Sequence, residues 1–125
     1  MIRLLIAAML LVSFAQADTM RDLRKHEKLC LKGKPRSCVR VAMYYKMEDK
    51  NHFIETLRES EKKALFFAKK GCEMNDAEAC MRAGNYLKTD FMLIGEPVYN
   101  PKEAKKFLKK GCRLGSDLAC MMLRS

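Results

Sequence analysis

The 125-residue chain has no tryptophan, only two histidines and no stretch of strand-like alternation between apolar and polar residues. Without that alternation a β architecture has no basis, and the helical periodicity described below makes the chain all-α. Two histidines, His26 and His52, neither with a histidine at i+4, do not make a zinc site, so no metal is expected. Nothing else in the pattern calls for a cofactor. Acidic residues are also scarce, 15 Asp+Glu against 25 Lys+Arg. The length permits one small domain and leaves little room for a large buried active site.

The one concentrated apolar run lies at the N-terminus. Met1-Ile2-Arg3 forms a short positive region, Leu4 to Phe14 an apolar core, and Ala15-Gln16-Ala17 an A-x-A site, together the pattern of a cleavable signal peptide over residues 1–17. The run is too short to span a bilayer, which takes about 20 residues. A mature chain beginning at Asp18 and running to residue 125 is therefore expected in the periplasm or outside the cell, as a single domain without a membrane span. Loss of Arg3 leaves 24 basic against 15 acidic residues, a net charge of +9. In the cytosol that balance would suggest nucleic acid. For an exported chain it suggests an anionic envelope component or an acidic protein, and no nucleic acid.

Six cysteines allow fifteen pairings, but their positions make three C-x7-C pairs: Cys30/Cys38, Cys72/Cys80 and Cys112/Cys120. On one straight helix, residues eight apart would lie about 12 Å from each other, beyond the reach of a disulfide. Turn formers stand between the cysteines of each pair: Gly33-Lys34-Pro35, Asn75-Asp76 and Gly115-Ser116. The spacing thus predicts three disulfides, each stapling a helix-turn-helix. Closing a nine-residue loop contributes roughly 2.6 kcal/mol in the chain-entropy model.

The pairs recur at intervals of 42 and 40 residues, from Cys30 to Cys72 to Cys112. Residues 63–81 and 103–121 are identical at nine positions, among them Ala64/Ala104, Phe67/Phe107 and Lys69-Lys70-Gly71-Cys72/Lys109-Lys110-Gly111-Cys112. Apolar residues recur at i, i+3, i+4 and i+7 in Cys80, Ala83, Gly84 and Leu87, and in Cys38, Val41, Ala42 and Tyr45. Helices are expected at 21–31, 37–47, 57–71, 77–89, 101–112 and 117–124. Asn100-Pro101 reads as an N-cap followed by proline at N1, and Thr56 with Glu59 as a capping box. The resulting fold is a short α-solenoid of antiparallel, stapled pairs, with bridged units at 21–47, 57–89 and 101–125. Because the third unit is short, an apolar edge there is expected to favour self-association.

These residues resemble Sel1-like repeats, relatives of the tetratricopeptide repeat, in the disulfide-bearing form of the Helicobacter cysteine-rich protein family. Lys63-Ala64 to Cys72, Cys80 to Gly84 and Gly95 to Ala104 carry the resemblance, which covers residues 21–125. Tyr45 keeps the motif's tyrosine, whereas Leu87 takes that place in the next unit, with Tyr86 displaced by one. The resemblance implies a module that binds a protein or peptide on a concave face, here Val39, Met43, Lys46, Met81, Asn85 and Lys88. Met121 or Met122 lies near the same face. Because the family is similar to proteins classed as β-lactamases or penicillin-binding proteins, it also implies an amide hydrolase acting on a β-lactam or a peptidoglycan-like molecule.

The residues offer that activity one foothold. Ser60-Glu61-Lys62-Lys63 matches S-x-x-K, with Ser60 as nucleophile and Lys63 as its activator, but neither an S-D-N nor a K-T-G partner is present. His26 and His52 read as solvated surface residues. The lysine pairs read as charges opposing helix dipoles, or as a patch for an anionic ligand. The apolar run Phe91-Met92-Leu93-Ile94 in a connecting segment reads as an extension of the preceding helix that packs inward, with an interaction patch as the alternative.

Overall fold

The computed structural model describes residues 20–47, 54–88 and 99–125. The expected leader, His52, the connecting segments and Phe91-Met92-Leu93-Ile94 lie outside them. The described residues form six α-helices: α1 at 20–31, α2 Pro35–Met47, α3 Ile54–Glu73, α4 Ala77–Lys88, α5 Pro101–Arg113 and α6 Asp117–Arg124.

All three stapled turns are built alike. Three residues past the first cysteine, the chain takes a positive φ, at Gly33 (102°), Asn75 (63°) and Gly115 (108°). Glycine reaches that region without a steric penalty and asparagine tolerates it, which explains the residue types found there. The next amide reaches back five residues, Lys34 N to Leu29 O, Asp76 N to Gly71 O and Ser116 N to Gly111 O, at 2.9–3.2 Å. That is the Schellman closure, and it satisfies carbonyls the ending helix leaves open. Two of the following helices are capped at once by side chains: Asp76 Oδ1 accepts from Ala79 N (2.9 Å) and Ser116 Oγ from Ala119 N (3.1 Å).

Within each turn the cysteine Cα atoms lie 4.5–4.7 Å apart, and Cys30–Cys38, Cys72–Cys80 and Cys112–Cys120 are bonded. The helix boundaries agree with the sequence reading to within a few residues. α3 differs most: it begins at Ile54, so Thr56 lies inside the helix. Ile54 to Glu59 can all continue a helix, and a capping signature marks only where one can start. At α5 the expected cap is present, with Asn100 Oδ1 accepting from Glu103 N at 3.1 Å and Pro101 at the first position.

α2 packs along α3 and α4 along α5, while α4 touches both α2 and α6, so that the three form one layer. Two glycines make this stacking possible. A Cβ on Gly71 would lie 2.7 Å from the Cβ of Ala79 in its own unit and 3.2 Å from that of Cys38 in the preceding one. Gly111 repeats the arrangement 40 residues on, against Ala119 and Cys80. Among the described residues no unit precedes the first, which carries Leu29 at that position. Between units, Leu108 of α5 rests on Gly84 of α4, where an added Cβ would come within 2.5 Å of it. The core runs from Leu23 and Cys30 through Val41, Ala42, Ala64 and Phe67 to Ala83, Leu87 and Ala104.

Candidate functional site

The residues expected on the concave face do not share one environment. Val39 is buried beside Cys72, Ala79 and Cys80, so it belongs to the core and not to a surface. Met43 packs against that cluster and stays half-exposed. Lys46 is drawn into an ion pair with Glu61 (3.6 Å) and lies over the Tyr86 ring. Met81 and Asn85 are half-buried on α4. Lys88 Nζ donates to Met122 O (2.8 Å) and Ser125 Oγ (2.7 Å), which ties α4 to the end of α6. What the layer offers a ligand is therefore Met43, Met81 and, in the equivalent place on α6, the exposed Met121. Val39 fails as a groove residue because position alone does not fix exposure: α4 lies against it.

The S-x-x-K match lies on α3. Ser60 is buried at 8% exposure, and the Lys63 ammonium sits over the Tyr45 ring, 5.3 Å from its centre. A nucleophile must be reachable by substrate and within hydrogen-bond distance of its base.

A different serine cluster was not anticipated from sequence. His26, expected at the surface, is mostly buried between α1 and α2, with Nδ1 3.1 Å from Ser37 Oγ and Nε2 3.5 Å from Asp22 Oδ1. The geometry superficially fits an Asp-His-Ser relay. However, Arg40 Nη1 also lies 3.4 Å from Nε2, and a guanidinium can only donate. Asp22 thus shares that nitrogen with a cation, unlike the sole carboxylate partner of a relay histidine. Ser37 is itself buried. The cluster ties α1 to α2.

The strongest polar feature bridges units one and two. Arg36 donates to Asp76 (3.1 Å) and Glu78 (2.6 Å), and Arg82 also reaches Glu78 (3.1 Å). Burial pushes the Glu78 carboxyl up, but the hydrogen bonds from Arg36 and Arg82 outweigh it and hold the group below its ordinary value. The same contacts, with Glu78 foremost, raise the Arg36 guanidinium. Burial raises the Tyr86 hydroxyl. That hydroxyl and Arg82 Nε are buried with no hydrogen-bond partner among the described residues. These shifts mark structural contacts, since none of the groups stands in a cleft beside a nucleophile. Among the described residues, no three His, Cys, Asp or Glu side chains converge as metal ligands.

Comparison with protein-family models and with curated proteins finds no match to this chain. The architecture is thus established on its own terms as a disulfide-rich helical repeat domain. Three disulfides and no free cysteine suit an oxidising, extracellular compartment. None of the described helices is long and apolar enough to cross a membrane.

Proposed function

We propose that the chain is an exported Sel1-like module that binds a protein or peptide along its α2–α4–α6 layer. The supporting observation is that half-buried Met43 and Met81 and the 59% exposed Met121 stand on the three helices of one layer, in which α4 touches both α2 and α6. Thioether side chains adapt to varied apolar partners, and a scaffold fixed by three disulfides loses little freedom on binding. The cation excess favours an acidic protein or another anionic component of the envelope. The amide hydrolysis implied by the family resemblance finds no support at Ser60 and Lys63, and the oxidised protein is expected to leave a chromogenic cephalosporin intact.

A photo-crosslinking residue placed at Met81 or Met121 tests this reading in the exported protein. A discrete adduct from those sites, absent when the probe replaces the exposed Leu31 on α1, is the expected result. Adducts independent of probe position, or none at all, would overturn it.

A further inference from the structure

The groove over the outer side of α5 and α6 is distinct from the layer discussed above. It is an open depression of about 590 Å³ lined by Lys102, Lys105, Lys106, Lys109 and Arg113, with Cys112 and Leu123. All five cations are exposed, and among the described residues no carboxylate lies within ion-pair distance of any of them. We infer that this groove seats an acidic amphipathic helix of a partner protein.

The molecule contains its own template for such a complex. Forty residues earlier, Lys69 occupies on α3 the place that Lys109 occupies on α5. Lys69 pairs with Glu103 of the neighbouring helix at 2.7 Å, and its ammonium lies 5.6 Å from the centre of the Phe107 ring. The side of α3 that receives α5 thus engages a carboxylate and an apolar ring on an adjacent helix. The corresponding side of α5 is open, and its composition has shifted in one direction. Buried Leu65 becomes Lys105, Phe66 becomes Lys106 and Glu73 becomes Arg113. An apolar helix fitted against these positions would bury lysines without partners, at a large cost. A helix with carboxylates along one side would neutralise them and still meet Leu123.

Other occupants fit less well. A second copy brings the same excess of charge, +10 over the whole sequence, and would be repelled. A bilayer surface carries suitable anions but lacks the paired carboxylate and apolar ring on a helix that Lys69 meets in Glu103 and Phe107.

The test is fluorescence anisotropy of a labelled helical peptide, with Glu on one face and Leu on the other, titrated with the oxidised full chain. Its isomer with Gln for Glu serves as a control. Lys105→Gln with Lys109→Gln is compared with a charge-matched pair on α1, Lys28→Gln with Lys32→Gln. Binding of the acidic peptide is expected to weaken at least about tenfold in the groove variant, less than about twofold in the α1 variant, and to fall with added salt. Equal losses in both variants, or equal binding of the Gln peptide, would overturn the inference. So would binding confined to phosphatidylglycerol vesicles and lost with the groove lysines. Because Met81 and Met121 are untouched, a failure here leaves their crosslinking result standing.

Discussion

The two seams between units solve one packing problem with opposite choices. At the α2–α3 seam, Ala42 and Ala68 occupy corresponding positions and both are fully buried. At the α4–α5 seam the same positions hold Gly84 and Leu108, the smallest residue beside a large one. The Gly84/Leu108 pair carries four side-chain carbons, all on one helix, against the two that Ala42 and Ala68 share, and a close-packed interior tolerates that exchange only if both members change together. The inter-unit ion pairs show a similar contrast. The seams between units engage cations, Arg36 with Asp76 and Glu78, and Lys69 with Glu103, whereas the outer face of α5 leaves its cations open.

The largest effect is expected from the staples. Replacing Cys72 and Cys80 by alanine should cost at least about 2.6 kcal/mol in denaturant unfolding, since both are fully buried and the loop entropy is lost in full. Under mild reductant, alkylation and peptide mapping should find Cys112–Cys120 opened first, because those cysteines are only half-buried. If the interior bridge opened first, burial would not be what protects it.

Gly71→Ala should destabilise by about 1–3 kcal/mol despite alanine's better helix propensity, because the new methyl meets two Cβ atoms that move only with their backbones. Gly111→Ala, with nearest atoms at 3.1–3.2 Å, should lose less. Urea midpoints that reverse this order would show that the two seams are not stacked alike.

Gly84→Ala and Leu108→Ala should each destabilise alone. The double variant recreates the Ala42/Ala68 arrangement and should recover about 1 kcal/mol or more relative to additivity. Additive losses in a double-mutant cycle would mean that the pair does not share its space.

The smallest effect concerns pH. The Glu78 carboxyl is lowered from 4.5, so its contribution to stability is complete above about 4.5 and is lost as pH falls through the lower folded value. Solvent screens these partly exposed groups, so the change is modest. Glu78→Gln should flatten the fall in thermal midpoint below about pH 4.5. An unchanged acid slope would assign the loss to other carboxylates.

Most of the fold was legible because it is specified locally. The C-x7-C spacing, a turn former three residues past each first cysteine and the 3.6-residue apolar pattern each involve fewer than ten neighbouring residues. The start of α3 was missed because Thr56 satisfies a capping pattern that longer helix-forming context overrides. The site was far less legible. Val39, Met81 and Met121 hold one repeat position, yet the first is buried, the second half-buried and the third exposed. His26 gave no sign in the sequence of meeting Ser37, eleven residues on.

The amino-acid order alone determined the repeat, the three cysteine pairs and the helical class, since each follows from backbone conformation and chain distance within a single turn. Only the stacking of units decided which chemically identical side chains are occupied and which remain available. Lys69 and Lys109 are the same residue in the same motif, and they differ because Glu103 lies against one of them while among the described residues no carboxylate pairs with the other.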